Sequence, residues 1–196
     1  MHDPSATHLP RPLQPGAHVV LVLASGRGER FAASGGAVHK LRAPLAGMTV
    51  LEHTLAAVRA SGLAWHLEDV GHPGMGDSIA AAVRATAGAG GWLVLPGDLP
   101  LVQPATLRSV AAALAHSAVA VPLYRGERGH PVGFAAQCLQ DLLALSGEQG
   151  AAGIVRQHAQ QGGVQSVEVE DEGTVTDIDT VADLACAEHI LAARKD

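Results

Sequence analysis

The chain has 196 residues, enough to bury a sizeable hydrophobic core. Its formal net charge of −6 argues against nucleic acid or an anionic membrane as the main partner. Aromatic residues make up 3% of a chain that is 47% hydrophobic, so we expect an aliphatic, alanine-rich core. Cys138 and Cys186 form no CxxC pair, which predicts a reduced cytoplasmic setting with both thiols as small core residues.

The first residues are punctuated by proline and contain no apolar segment typical of a signal peptide or a membrane anchor. We expect a flexible tail over residues 1–16, followed by one domain over residues 17–196. No later apolar run approaches the roughly 20 residues that a membrane span needs. The sequence therefore predicts a soluble, cytoplasmic protein.

A buried strand followed by a glycine-rich turn opens this domain. Residues 19–23 (VVLVL) are continuously apolar, as in a parallel strand covered on both faces. In the turn, Gly26 and Gly28 permit backbone angles that other residues avoid. Arg30 and Lys40 add positive charge, which favours a phosphate site over the plain alternative, a tight strand-to-helix turn.

Residue spacing predicts the remaining elements in chain order. Helices are predicted over residues 50–61, 78–87 (capped by Asp77), 104–116, 137–146, 152–160 and 182–193, and strands over residues 63–70, 92–95, 118–122 and 164–169. The alternation of strands and helices predicts an α/β sandwich around a mostly parallel sheet. Ligands bind such sheets at the carboxyl ends of the strands, where the Gly26 turn and Asp98 both lie.

Several common catalytic motifs are missing from the sequence. The turn fits neither the Walker pattern nor GxGxxG, since Phe31 replaces the last glycine. No HExxH or paired-histidine spacing indicates zinc, and no GxSxG elbow indicates a serine hydrolase.

Two segments carry carboxylates that could be metal ligands. Asp98, in the PGDLP segment, comes directly after a buried strand, which suits a Mg²⁺ ligand, although a capping or turn role is the alternative. Asp177 and Asp179 point the same way if their segment is extended, so one of them could supply a second metal carboxylate. Asp183 fits the first turn of the last helix, where it favours the helix dipole.

Two loops could contact a substrate. Residues 74–78 (GMGDS) form a glycine-flexed helix entry whose N-terminus could face an anion or a base. Residues 128–132 (RGHPV) place Arg128 and His130 on one loop. His130 could act as an acid or base, donate a hydrogen bond to substrate, or be an ordinary loop histidine.

These motifs, in this order, resemble the molybdopterin nucleotidyltransferases of the MobA-like NTP transferase family. The matching segments run in register from residue 19 to residue 193: LASGRGERF with a following lysine, KLRAPLAGMTVL, GMGDSIAAAV, PGDLP, RGHPVGF, GEQGA and DIDTVADL. RGHPV together with GMGDS is more similar to the cytidylyl branch than to the guanylyl branch. The resemblance implies a Rossmann-like, three-layer α/β/α fold of the nucleotide-diphospho-sugar-transferase type. It also implies Mg²⁺-dependent transfer from CTP to the phosphate of molybdopterin, with release of diphosphate.

The resemblance further implies roles for the motif residues. Arg30, Lys40 and Asp98 would be catalytic, and Asp98 and Asp179 would hold Mg²⁺. The nucleotide would be bound by Leu23, Ala24, Ser25, Gly26, Gly28, Arg30, Lys40, Ser78, Pro96 and Gly97. Arg128 and His130 would contact the acceptor. The implied partners are the NTP, molybdopterin and a client molybdoenzyme, with neither nucleic acid nor membrane involved.

Three features depart from the family pattern. Ser25 stands where the cytidylyl pattern has alanine and the guanylyl pattern glycine, and its side chain should crowd a purine, which favours CTP. Ala32 replaces a glycine, and residues 34–39 (SGGAVH) delay the lysine. Residues 62–74 have room for one strand only, so the sheet should be one strand and one helix shorter than usual. The alternatives are a transferase that uses GTP or another phosphate acceptor, and a non-catalytic molybdenum-cofactor chaperone.

Overall fold

A mixed seven-stranded sheet forms the centre of the computed structural model, which describes residues 16–194. Residues 1–15 of the predicted tail lie outside the described part of the chain. The strands are β1 His18–Leu23, β2 Pro44–Leu45, β3 Met48–Thr49, β4 Ala64–Glu68, β5 Gly91–Pro96, β6 Val119–Tyr124, β7 Glu127–Arg128, β8 Val132–Ala135 and β9 Val164–Glu168. The helices are α1 Glu29–Ala33, α2 Val50–Ser61, α3 Met75–Ala85, α4 Pro104–Ala113, α5 Leu139–Leu143, α6 Ala152–Gln160 and α7 Val181–Ala193.

The strand order in the sheet is β4-β1-β5-β8-β6-β7, and β9 pairs with β6. β1 is parallel to β4 and β5, and β6 is parallel to β9, whereas β8 lies antiparallel between β5 and β6. The predicted α/β fold is confirmed. β7 and β8 escaped the sequence analysis because each is too short to show a clear two-residue alternation.

Each face of the sheet is covered by helices, which gives three layers. Within β1, Val19 and Leu21 belong to the cluster beneath α3, α5 and α6, and Val20 and Val22 belong to the opposite cluster beneath α2 and α4. All four side chains are fully buried. Because alternate residues of a strand face opposite sides, the continuous apolar run of β1 is what two covered faces require.

Helix α2 matches its predicted bounds, because both of its end signals are strong. Thr49 and Glu52 form a reciprocal capping box at its start, and Gly62 ends it in a left-handed conformation with φ 75°. Residues 62–74 hold one strand, β4, as predicted, and α3 follows directly. β4 is an edge strand and pairs only with β1 among the described residues.

Several predicted bounds and placements are wrong. α3 starts at Met75 rather than Ser78, so Asp77 is not its cap but accepts a hydrogen bond from the backbone N–H of Gly147. α4 and α5 end about three residues before their predicted ends. Cys138 is buried as expected, whereas Cys186 is exposed on α7 rather than in the core. No helix within residues 16–194 is long and apolar enough to cross a membrane.

Candidate active site

A cavity of about 800 Å³ opens at the carboxyl ends of β1 and β5. It gathers twelve of the residues expected at the site: Leu23, Ser25, Gly26, Gly28, Arg30, Lys40, Ser78, Pro96, Asp98, Arg128, His130 and Asp179. Ala24 and Gly97 are not among the residues that line the cavity. The backbone N–H of Ala24 donates to Glu68 O, and the backbone N–H of Gly97 donates to Leu23 O. Segments far apart in the chain therefore meet at the sheet edge where ligands of this architecture bind.

The glycine-rich turn leads directly into α1. Gly28 caps this helix with φ 66°, a left-handed conformation that glycine adopts without strain. The Nε2 atom of His39 lies 2.8 Å from Gly26 O and donates a hydrogen bond to it. The inserted residues 34–39 thus end in a side chain that holds the turn. From the sequence alone, this segment was expected only to delay Lys40.

The segment that carries Asp98 is held against β1 and α2. Thr54 is buried, and its hydroxyl donates to Gly97 O at 3.0 Å. A Cβ at Gly97 would lie 3.0 Å from Leu23 O, so a side chain there would push the segment away from β1. The backbone N–H of Ile178 donates to Asp98 O at 3.0 Å, which brings the segment of Asp177 and Asp179 to the same place.

Asp98, Asp177 and Asp179 form an acidic cluster, in which one carboxylate oxygen from each residue lies within 4.8 Å of the other two. Asp98 Oδ1 is buried and has no hydrogen-bond partner within residues 16–194. A buried carboxylate oxygen without a partner is unfavourable unless a cation or a donor meets it. Mg²⁺ is a hard cation that takes oxygen ligands, usually one or two carboxylates with water and phosphate oxygens, so the residues present fit it.

Lys40 and Arg30 neutralise part of this acidic cluster. Lys40 Nζ lies 2.6 Å from Asp98 Oδ2 and 2.9 Å from Asp179 Oδ1, and Arg30 forms an ion pair with Asp179. The Lys40 side chain is only 12% exposed, whereas that of Arg30 is 77% exposed. The sequence analysis assigned both cations to phosphates, and in this structure their partners are carboxylates.

The electrostatic environment shifts the pKa of two side chains in the cluster. Burial acts to lower the pKa of Lys40, but the adjacent Asp98 and Asp179 outweigh it, so the net pKa lies above its usual value. Partial desolvation and then the charges of Asp179 and Asp98 raise the pKa of Asp177. Lys40 is therefore a permanent cation at neutral pH, whereas an added cation would favour the ionised form of Asp177.

His130 lines the same cavity and lies between β7 and β8. Its backbone N–H donates to Thr174 O at 2.9 Å, and a Cβ at Gly129 would lie 2.5 Å from the same oxygen. Burial lowers the pKa of His130, and the charge of Asp98 opposes that shift only in part. The imidazole is therefore neutral near pH 7. Arg128 is exposed at the cavity rim.

The entry to α3 also lines the cavity. Ser78 is buried, its hydroxyl donates to Gly74 O at 3.1 Å, and it lies 2.7 Å from the Ser25 hydroxyl. The backbone N–H of Gly76 donates to Gly147 O at 2.9 Å, so a neighbouring loop already caps part of this helix terminus. This hydrogen bond leaves fewer free backbone N–H groups at the start of α3 for the predicted contact with an anion.

Comparison with known proteins places the chain in a family. Residues 56–162, more than half of the chain, match the model of the MobA-like NTP transferase domain. The chain belongs to the MobA-like NTP transferase family. Its sheet is the Rossmann-like α/β sheet of the nucleotide-diphospho-sugar-transferase type.

This member of the MobA-like NTP transferase family is also similar to individual proteins. A 2-C-methyl-D-erythritol 4-phosphate cytidylyltransferase of Cereibacter sphaeroides is 36% identical over 146 residues, which cover 58% of this chain and 64% of the relative's length. A nucleotidyl transferase from Methanothermobacter thermautotroptrophicus is 27% identical, with a TM-score of 0.74 over 90% of this chain and 99% of its own.

The same fold occurs in Rv0371c from Mycobacterium tuberculosis H37Rv. That structure is 24% identical, with a TM-score of 0.75 over 88% of this chain and 98% of its own. Rv0371c has also been solved in complex with manganese.

Proposed function

We propose that this NTP transferase moves a cytidylyl group from CTP to the phosphate of molybdopterin, with Mg²⁺ as the cofactor and diphosphate as the second product. The main support is the meeting of the glycine-rich turn with Asp98 and Asp179 in one cavity. A triphosphate laid across the turn would bring its phosphate tail to the acidic cluster. There the cations Arg30 and Lys40 are also within reach.

The proposed reaction needs no nucleophile from the protein. An oxygen of the acceptor phosphate forms a bond to the α-phosphorus of CTP, and the bond from that phosphorus to the bridging oxygen breaks. The diphosphate leaves with the electron pair of the broken bond. Catalysis then consists of holding the two phosphates in line and neutralising the charge that develops.

Each group at the cavity has a role in this proposal. The backbone of residues 24–28 would hold the base and the phosphates, and Arg30 and Lys40 would neutralise phosphate oxygens. Asp98 and Asp179, with Asp177 beside them, would hold Mg²⁺, which supplies charge neutralisation on the triphosphate when bound. Arg128 and His130, which line the same cavity, would contact the acceptor.

The preference for cytosine has two supports. Ser25 narrows the turn where a larger purine would need room, and its hydroxyl contacts that of Ser78 at 2.7 Å. The curated relative from Cereibacter sphaeroides is a cytidylyltransferase.

That relative also favours a second candidate acceptor. Because its name specifies 2-C-methyl-D-erythritol 4-phosphate, a small alcohol phosphate is the alternative to molybdopterin. Both acceptors present a phosphate monoester, so the chemistry at the α-phosphorus is the same. With molybdopterin as the acceptor, a client molybdoenzyme in the cytoplasm would receive the product. Membership in a nucleotidyltransferase family favours either transfer over the non-catalytic chaperone alternative.

The test is diphosphate release from each NTP with Mg²⁺, measured with molybdopterin, with 2-C-methyl-D-erythritol 4-phosphate and with no acceptor. We expect release from CTP that depends on molybdopterin. Asp98→Asn should abolish it, while Asp69→Asn, at an exposed position outside the cavity, should not. Release only with the alcohol phosphate would overturn the molybdopterin assignment, and no release with any pair of substrates would overturn the transferase proposal.

A further inference from the structure

A buried carboxylate holds two histidines at the edge of the sheet. Glu68, the last residue of β4, is only 6% exposed. One of its oxygens lies 3.4 Å from His66 Nε2, and the other lies 3.1 Å from His72 Nε2. None of the three residues belongs to the groups that the proposed reaction uses.

Only one of the two histidines reaches the cavity. His72 lines it together with Ser25 and Ser78, whereas His66 and Glu68 do not. The carbonyl oxygen of Glu68 accepts a hydrogen bond from the backbone N–H of Ala24 at 2.8 Å, so the strand end that carries Glu68 is tied to the glycine-rich turn. Glu68 therefore anchors His72 beside the part of the cavity assigned to the base.

The contact with Glu68 determines which ring nitrogen of His72 carries the proton. A carboxylate only accepts hydrogen bonds, so His72 Nε2 must be the donor. In a neutral imidazole the other nitrogen, Nδ1, then has a free lone pair and is an acceptor. Within residues 16–194 the His72 ring makes no second hydrogen bond, so this acceptor remains available to a ligand.

We infer that His72 is a specificity-determining residue that accepts a hydrogen bond from the exocyclic amine of the nucleotide base, with Glu68 as its positioning residue. Cytosine presents an amine at the position where uracil presents a carbonyl oxygen. A hydrogen-bond acceptor at that point attracts the amine of cytosine and repels the carbonyl oxygen of uracil. The inference rests on the proposed function, because it requires the base to bind at this end of the cavity.

The experiment measures the affinities of the full chain for CTP, UTP and GTP with Mg²⁺ by calorimetry at pH 8. The variants are His72→Ala and, as the matched control, His66→Ala, which removes the histidine on the same carboxylate that does not line the cavity. We expect the wild type to prefer CTP over UTP by about tenfold or more, as one hydrogen bond allows. His72→Ala should reduce that ratio to near one, and His66→Ala should leave it unchanged.

The inference and the proposed function fail in distinguishable ways. If the wild type binds none of the three nucleotides, both the proposed function and the inference are overturned. If it binds CTP but does not prefer CTP over UTP, only the inference is overturned. The same holds if His72→Ala leaves the CTP-to-UTP affinity ratio unchanged. A long-range ¹H–¹⁵N spectrum of histidine-labelled protein tests the positioning role of Glu68 independently of binding. The Nε2–H tautomer of His72 is expected there, and the Nδ1–H tautomer would contradict the role of Glu68.

Discussion

Lys40 Nζ lies 2.6 Å from Asp98 Oδ2, inside the acidic cluster that fits a divalent cation. The same ammonium lies 2.9 Å from Asp179 Oδ1, so it bridges the two carboxylates. A metal ion at the cluster would compete with this ammonium for the same oxygens. Displaced from the carboxylates, Lys40 would be free to contact the phosphates to which the family resemblance assigns it.

Removing the Lys40 charge should therefore tighten metal binding in the absence of nucleotide. For Lys40→Met we expect Mn²⁺ affinity to rise by about tenfold or more, because the carboxylates lose their internal counter-ion. Without metal the variant should lose about 3 kcal/mol of stability, since a largely buried ion pair is broken. Titration with Mn²⁺ followed by electron paramagnetic resonance measures the affinity. Arg42→Met makes the same charge change at an exposed position and is the control. An equal effect of both variants on Mn²⁺ affinity would contradict the proposed competition between Lys40 and the metal ion.

Gly74 should not tolerate a side chain. A Cβ at this position would lie 2.1 Å from Gly147 O, so Gly74→Ala must push the 147–149 loop away from the start of α3. We expect a loss of about 1–3 kcal/mol in urea unfolding, together with weaker nucleotide binding. Gly71→Ala is the control, because a Cβ there meets nothing within 4 Å. Equal stability of the two variants would show that the loop yields at no cost.

His130 should make the protein less stable in mild acid. Burial holds the folded-state pKa of His130 below 6.5, so as the pH falls the unfolded state binds this proton first. The free energy of unfolding therefore decreases from about pH 6.5 down to the lowered pKa, by at most about 1.4 kcal/mol per pH unit. His130→Gln removes the titrating group and should lose less stability between pH 7.5 and pH 5.5 in urea unfolding. His116→Gln, at an exposed position, should behave like the wild type, and a His130→Gln curve parallel to the wild type would refute the prediction.

The two thiols should differ in reactivity. Cys138 is fully buried, and burial raises its pKa to about 11, whereas Cys186 is exposed. Iodoacetamide at pH 8 should therefore modify Cys186 in the folded protein and reach Cys138 only after unfolding, because the thiolate is the reactive form. Mass spectrometry of peptides identifies the modified thiol. If Cys138 is labelled as fast as Cys186 in the folded protein, its burial in the core is contradicted.

The sequence was most informative where one local signal determines the structure. The capping residues Thr49 and Glu52, with Gly62 at the other end, define α2 without help from the rest of the chain. Continuous apolar runs revealed β1 and β5, and their ends placed the glycine-rich turn and Asp98 at one edge of the sheet. Motif order then led to the correct family.

Contacts between distant segments could not be predicted in the same way. His39 bonds to Gly26 O, and Lys40 bridges carboxylates 58 and 139 residues further along the chain. The pairing of His72 with Glu68 was missed although the residues are close in sequence, because only burial of the carboxylate makes the pair informative. Cys186 was expected in the core but is exposed on α7. The sequence of an apolar helix does not show which of its faces is buried.

The most direct test of the central claim asks whether Asp98 and the nucleotide phosphates share one metal ion. ³¹P electron–nuclear double resonance of the protein with Mn²⁺ and CTP detects the phosphorus of a phosphate group whose oxygen coordinates protein-bound manganese. The account predicts a strong phosphorus coupling from protein-bound Mn²⁺ in the wild type and its loss in Asp98→Asn. Protein-bound Mn²⁺ without phosphorus coupling, or a coupling unchanged in Asp98→Asn, would contradict it.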